Sequence, residues 1–513
     1  MKKTLVVTLI MCALFSSGCR AGSGSEGPVR PPAVAGQFYP SSRDELESAL
    51  AHFFGDAIAP RVEKPLALIV PHAGYVYSGQ IAADGFRQAS NTSYDAVFIL
   101  GTNHTTAGFS GVSVYASGGF RTPLGVAEVD AGLAAKLIEQ DKAFVADTRV
   151  HEREHSVEVQ VPFVQHAFPK AKIVPLVVGE PDAELCEKLG RAIAAITKGR
   201  SVLVVASSDL SHYPAYEDAV KVDHATLRAA ASLDPERLET TLMDRMKHRP
   251  PQLSTCACGE GPMLAAMAAA KAMGATRGVV ISAANSGDVA VGEYDRVVGY
   301  GAVVFTTGTG GTDTSVLDAT ADSAASESAE FPVLSAEDKK VLLAHARKTL
   351  DWYLSCQMVP ESRGFSRAAQ TPAGAFVTLK KHGELRGCIG HMAEDMPLCR
   401  TVSGMALMAG LEDRRFSPVT AQELPNLEIE ISVLTPARPV PDASHIVVGR
   451  DGVTLSKSGR SAVFLPQVAP EQGWSRDTML DHLCLKAGLP KDAWRQGATL
   501  ATFQAIVFSE SEF

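Results

Sequence analysis

Residues 66–75 read LALIVPHAGY, five apolar residues in a row followed by a proline and a histidine. An unbroken apolar run that stops at a turn residue suits a strand buried on both faces. The pattern recurs as AVFILGTNH over 96–104 and as VLVVASSDLSH over 202–212. Further apolar runs lie at 173–178 and 279–281. Amphipathic stretches separate them. Asp182 stands as an N-cap, with Leu185, Leu189, Ile193 and Ile196 following at helical spacing. Apolar strands alternating with helices predict an α/β fold, a mostly parallel sheet with helices on both faces.

In such a sheet the carboxyl ends of the parallel strands open on one crevice. His72, His104 and His212 each follow a strand by a few residues, so the pattern places three imidazoles at one edge. One such histidine would be ordinary structure. Three at equivalent strand ends predict a shared site.

The chain around this core has 513 residues, which calls for two domains. Its net charge of −9 gives no reason to expect a nucleic-acid partner, because phosphate binding needs clustered Lys and Arg. Residues 307–330 are rich in Gly, Thr, Ser, Ala and Asp, and read as a low-complexity linker. They part a first domain, 30–306, from a second, 331–513. The second opens on a capping-box pattern, Ser335 and Asp338, before a helix running to about Leu354. Strand candidates follow at 375–379, 427–434 and 462–465. The alternation LEIEI over 427–431 leaves one wet face, so this smaller domain reads as α+β.

The amino terminus carries Lys2-Lys3, a short apolar stretch over 5–15, and Ser16-Ser17-Gly18-Cys19. That run is too short to span a bilayer and reads as a signal peptide. Its end resembles a bacterial lipobox, which implies a lipoprotein signal peptide over 1–19, lipidation of Cys19, and a tether over 20–29. Arg20 after the cysteine favours, by the same resemblance, the outer membrane. The expected address is the cell envelope, lipid-anchored on the periplasmic side, with the membrane touched through the lipid alone; a soluble periplasmic or secreted protein is the alternative. Setting Cys12 and Cys19 aside, seven of the nine cysteines remain, scattered and odd in number, so no disulfide scaffold is expected.

Several strings in the first domain go beyond pattern: RPPAVAGQFYP at 30–40, PHAGYVYSG at 71–79, GTNH at 101–104, EHSVEVQ at 154–160, SSDLSH at 207–212 and NSGD at 285–288. Together they resemble the Memo family, over residues 30–306. That family is similar in fold to class III extradiol ring-cleavage dioxygenases, whose non-haem iron is held by two histidines and a carboxylate. The resemblance implies that His72 and His104 bind metal. It implies that Cys258, in CGEGP at 258–262, stands where the dioxygenases use a carboxylate. It assigns His212 as acid/base, with Asp209 beside it to orient the ring. Two imidazoles with open positions suit iron, and a thiolate widens the choice to copper or zinc. The thiolate also makes the site easier to oxidise. A buried, inert Cys258 is the plain alternative.

One match points elsewhere. His151-Glu152-Arg153-Glu154-His155 satisfies the zinc-protease pattern, which needs both imidazoles on one helical face. No third ligand follows, and Val157, Val161, Val164 and Phe168 suit an amphipathic helix beginning near His155. Zinc metalloprotease is therefore the weakest reading.

The second domain holds GAFVTL at 374–379, GELRGCIG at 383–390, DRRFSPV at 413–419, EIEISVL at 428–434 and FLPQV at 464–468. These resemble the AMMECR family. Arg386 and Cys388 put a cation and a thiol beside glycines, an expected anion or nucleophile site in which the cation would lower the thiol pKa. A tight turn with a buried thiol is the bland alternative. Arg414, Arg415, Pro466 and Gln467 are weaker candidates for the same cleft. The two families resemble proteins B and A of the AmmeMemoRadiSam system, which also includes a radical-SAM protein, an expected partner. A fused chain keeps both halves at high effective concentration. The expectation is a metal-dependent redox or dioxygenase-like enzyme acting on a small molecule or protein. A non-catalytic metal-binding or assembly protein at the envelope is the alternative.

Overall fold

The computed structural model describes residues 27–180, 182–318 and 331–513. Residues 1–26, with Cys19 and the signal-peptide reading, lie outside the described residues, as do 319–330 of the linker. Among the described residues no helix is long and apolar enough to cross a membrane.

The first region is built on an eight-stranded sheet. Its strands in chain order are β1 (Ala67–Val70), β2 (Ala96–Thr102), β3 (Val112–Val114), β4 (Phe144–Val145), β5 (Lys172–Val178), β6 (Val202–Ser207), β7 (Arg277–Asn285) and β8 (Gly299–Thr306). In space they run β7-β8-β1-β6-β2-β5-β3-β4. The central four, β1-β6-β2-β5, are parallel throughout. β1, β2 and β6 are buried at every residue. Successive strand side chains point to opposite faces, so this burial means that both faces are covered. Helices Tyr75–Ala89 and Glu260–Ala272 are buried along most of their length, as covering layers should be. The α/β expectation is met, with one refinement: β7 and β8 join antiparallel. They are linked by residues 286–298, which contain no α-helix, and a parallel pair needs a crossover, usually helical.

Asp182 caps its helix as its sequence position requires, its side chain accepting from the Glu184 and Leu185 amides, with Leu189 and Ile193 buried beneath. Asp313, read as linker, lies back on the first region. It bridges to Val279 and pairs with Arg277 at 2.9 Å.

The second region holds two antiparallel four-stranded sheets. One comprises Ala375–Lys381, Glu384–His391, Leu427–Leu434 and Ala505–Ser509, covered by helices Ala336–Cys356 and Leu398–Leu411. The other comprises Arg438–Val440, Gly452–Lys457, Arg460–Phe464 and Thr499–Phe503, with helix Arg476–Lys486 packed on it. Both partners of the Ser335/Asp338 capping box are made.

The two regions are docked. Trp352, Cys356 and Met358, from the end of the first helix of the second region and just beyond, belong to the hydrophobic core of the first. His52 stacks on Trp352 at 4.9 Å, and Phe53 meets it edge-on at 5.8 Å. Arg363 binds the Asp84 carboxylate at 2.5 Å and the Asp56 carbonyl at 2.7 Å, and Lys348 pairs with Asp56 at 2.5 Å.

Candidate metal centre

Three neighbouring parallel strands, β1, β6 and β2, end side by side and project His72, Asp209 and His104 into one place. Two glycines allow other segments to approach. A side chain at Gly101 would collide with Ser156 and Val157, and one at Gly259 would lie 2.6 Å from the Ser207 carbonyl. The first brings residues 154–160 against β2. The second brings Cys258 against β6.

The hydrogen bonds around His72 fix its tautomer. Ser207 Oγ donates its single hydrogen to the Ser156 carbonyl at 2.6 Å. The same oxygen accepts from Gln160 Nε2 at 2.8 Å, whose other hydrogen goes to the Pro71 carbonyl. Toward His72 Nδ1, at 3.0 Å, it can therefore only accept. His72 carries its proton on Nδ1 and leaves Nε2 bare. Cys258 Sγ lies 3.1 Å from that nitrogen. Burial, followed by the charges of His104 and His155, depresses the His72 pKa. Burial and then the Asp209 charge push the Cys258 thiol up, and its Sγ also lies 3.7 Å from the Asp209 carbonyl, to which it can donate.

His104 follows the same logic with a different partner. Its Nδ1 lies 2.9 Å from Glu154 Oε1, and its backbone amide donates to Oε2 at 2.7 Å. Burial alone would raise the Glu154 pKa. Hydrogen bonds from His104 and Ser156 overcome that and hold it at about 2. An ionised carboxylate only accepts, so His104 Nδ1 is the donor, and in the neutral ring Nε2 is the free nitrogen. Glu158 anchors this segment from below, accepting from Arg30 Nη1 (2.6 Å), the Ala33 and Val34 amides, and Tyr39 (2.7 Å).

Among the described residues, ligand atoms cluster within 4.8 Å in two sets that share His72: His72, His104 and His155, and His72, Asp209 and Cys258. His72 is thus brought together with both of its expected co-ligands, while His104 and Cys258 fall in different sets. His155 was weighed only with His151 in the zinc-protease pattern, not as a member of this site. Its ring stacks on His104 at 4.5 Å and meets His72 edge-on at 5.4 Å. The signal was in the string Glu154-His155, where the acid that orients His104 is followed directly by a third imidazole.

One expectation is corrected. Asp209 does not orient His212: its Oδ1 accepts from the His72 and Ala73 amides at 2.7 and 3.1 Å, and Oδ2 lies 3.9 Å from His72 Nε2. His212 Nδ1 donates instead to the Leu210 carbonyl at 2.9 Å, which makes Nε2 the free nitrogen of the neutral ring. The HEREH string is not one helix, in keeping with the expected helix start near His155. Thr148–Val150 is a 3-10 turn and the α-helix starts at His155. His151 is buried against Ser113 Oγ at 3.1 Å, and burial, then Arg30, push its pKa down to about 3. Its ring belongs to neither ligand set.

In the second region Arg386 and Cys388 are not partners. Register slips between Leu379 and Lys380, so Arg386 bulges out of the strand. It pairs with Glu423 at 3.1 Å and donates to the Ser417 carbonyl. Cys388 Sγ accepts from Thr378 Oγ1 at 3.2 Å, and burial raises its pKa, outweighing the Thr378 hydrogen bond and the Arg415 charge that lower it. Arg415, bidentate to Asp413, is the guanidinium beside it, bonding the Cys388 carbonyl at 3.2 Å.

Comparison with known proteins agrees with both strings of motifs. Residues 30–304 match the family described as Memo-like protein, and residues 343–508 match AMMECR1. A MEMO1 family protein of Nitrosopumilus maritimus is 37% identical over 283 residues, covering 54% of this chain and 99% of the relative. Another, from Aquifex aeolicus, is 37% identical over 278 residues with the same coverage. An uncharacterized protein from Pyrococcus horikoshii, known from a crystal structure, is 33% identical and covers 34% of this chain and 93% of its own, with a TM-score of 0.34. The chain therefore belongs to the Memo-like family and carries an AMMECR1 region behind the Memo-like one.

Proposed function

We propose that the Memo-like region is a metal-dependent redox enzyme of dioxygenase type, with His72, His104 and Cys258 holding iron. Copper or zinc would suit the same donors less well. One observation supports this reading: both Nδ1 atoms are engaged, by Ser207 and Glu154, which in neutral rings leaves both Nε2 atoms free of a proton, and His72 Nε2 lies 3.1 Å from the Cys258 sulfur. The donor set of two neutral imidazoles and one sulfur fits a transition metal, and the oriented carboxylate–histidine pair is the usual support for such a ligand. His155 and Asp209 flank the set and complete its polar lining. Bound iron, held by these residues, would supply redox chemistry to the crevice. The chain's own residues do the rest. Ser207 and Glu154 hold the ring planes, and His212, with Nε2 bare, accepts or returns a proton at the crevice. The substrate is a small molecule or a protein group.

We place this chemistry in the AmmeMemoRadiSam system, beside a radical-SAM partner, on the pairing of the two regions in one chain. Export and lipidation at Cys19 belong to the same proposal and rest on the basic and apolar order of residues 2–19; palmitate labelling lost in Cys19→Ala tests them. The decisive test of the site is elemental analysis of protein purified without oxygen. Stoichiometric iron in the native chain, lost in His72→Ala and in Cys258→Ala, is expected. Iron retained by both variants would end the proposal.

A further inference from the structure

The stretch that carries His212 leans on residues 286–298, the connection between β7 and β8. His212 bridges to Val298. The Tyr213 amide donates to the Val297 carbonyl at 2.7 Å, the Val297 amide to Pro214 at 3.0 Å, and the Tyr216 amide to Tyr294 at 3.0 Å. The rings of Tyr216 and Tyr294 stack at 4.5 Å, and the Tyr216 hydroxyl donates to Asp288 at 2.6 Å. Tyr213 has φ +72, a left-handed backbone that a bulky residue adopts only when its surroundings impose it. The strained residue sits next to His212 and is bonded to the connection 286–298, while the His212 amide and carbonyl are held from the other side by Thr255 and Ser254, each at 3.0 Å.

The other side of that connection is held by the AMMECR1 region. Arg400, on helix Leu398–Leu411, is 5% exposed. Its Nε donates to the Val289 carbonyl at 3.3 Å, its Nη2 to the Gly292 carbonyl, and its guanidinium lies 4.1 Å from the Tyr294 ring centroid. Val289 also bridges to Glu361, and the Ser362 amide donates to the Asp288 carbonyl at 3.0 Å. Val289, Val359 and Leu407 close a small apolar cluster around the contact. The Arg400 charge is thus met by carbonyls and an aromatic face. A planar fork in such a place specifies orientation.

We propose that Arg400 is a positioning residue supplied by the AMMECR1 region to the Memo-like site: it clamps residues 289–294, which in turn hold His212 and the strained Tyr213 in place. This rests on the reading above that His212 moves a proton. The curated relatives are covered almost end to end by the first region alone, so the clamp is a property of the fused chain. It also gives the docked second region a direct route to the reacting group.

The test is hydrogen–deuterium exchange on the full chain, with site-resolved labelling of His212 by diethyl pyrocarbonate and iron affinity by equilibrium dialysis. In Arg400→Met the Tyr213, Tyr216 and Val297 amides should exchange about tenfold faster, as local opening replaces a held connection. His212 labelling should change with them, Arg400→Lys should fall between, and iron affinity should stay at the native value. Tyr294→Leu removes the stacking face without touching the arginine and should reproduce the effect if Arg400→Met does not fold. Trp352→Ala loosens docking where the indole meets His52 and Phe53, with no bond to residues 286–298 among the described residues, and should leave these amides protected. Unchanged exchange in Arg400→Met, or equal release by Trp352→Ala, would overturn the clamp. A native chain without iron would remove the enzyme reading, while exchange and labelling would still judge the clamp.

Discussion

Cys258, in the turn before helix Glu260–Ala272, and Cys388, on strand Glu384–His391, are both partly buried thiols, yet their surroundings differ in what the neighbouring polar groups have left to give. Around Cys258 the second nitrogen of each imidazole is already committed, to Ser207 or Glu154, so that the first faces the thiol's crevice bare. Around Cys388 every strong group is engaged with another: Arg386 with Glu423, Arg415 with Asp413, Lys380 with Glu430 at 2.8 Å, and the sulfur itself with Thr378. A cluster of reactive residue types is therefore a poor guide to a site by itself. Unsatisfied lone pairs converging on one point are a better one.

That contrast can be broken by experiment. Glu154→Gln keeps the shape but replaces the ionised partner of His104, and should weaken metal binding by about 10–100-fold, read by chelator competition. Cys388→Ala should leave metal content at the native level; a matching loss in both would erase the distinction. A smaller effect is expected at Thr378→Val, which removes the hydroxyl donor to Cys388 and should cost about 1 kcal/mol in urea unfolding without changing metal content. The smallest concerns pH. Glu423 is held at about 2 in the folded chain by Arg386 and Lys381, against an ordinary 4.5. A carboxyl with a depressed folded pKa contributes stability above the unfolded value and loses it as pH falls through the folded one. The stability gap between native chain and Glu423→Gln should therefore be full above 4.5 and close as pH falls toward about 2. A gap independent of pH would show that the pair is not ionic in effect.

The strand ends at His72 and His104 could be read from the chain because β1 and β2 are apolar without interruption, and such runs leave little doubt about where they stop. Cys258 could not be placed that way, since it lies in a loop whose approach depends on Gly259 and β6; only its family likeness pointed to it. His155 was hidden by its own helix, because Val157 and Val161 explained the local pattern completely and the acid beside it seemed to belong to a different motif. Asp209 and His212 are close in sequence, which suggested a pair, but the backbone turns between them and gives each a different partner. In the second region the bulge at Arg386 is invisible in a string of residues. Its turn sits at His382 and Gly383, both with positive φ, and not at the Arg-Gly-Cys triplet. The short strands at 438–440, 452–457 and 499–503 are alternating or half-exposed, and they form only because they pair with each other.

The Trp352 indole has one more consequence. Because it sits among the first region's core residues while its helix covers the second region's sheet, the two halves share a seam that no linker is needed to keep closed. A protease site engineered between residues 318 and 331 should leave the cut pieces eluting as one particle on gel filtration. Shortening the downstream piece past Trp352 should let them part.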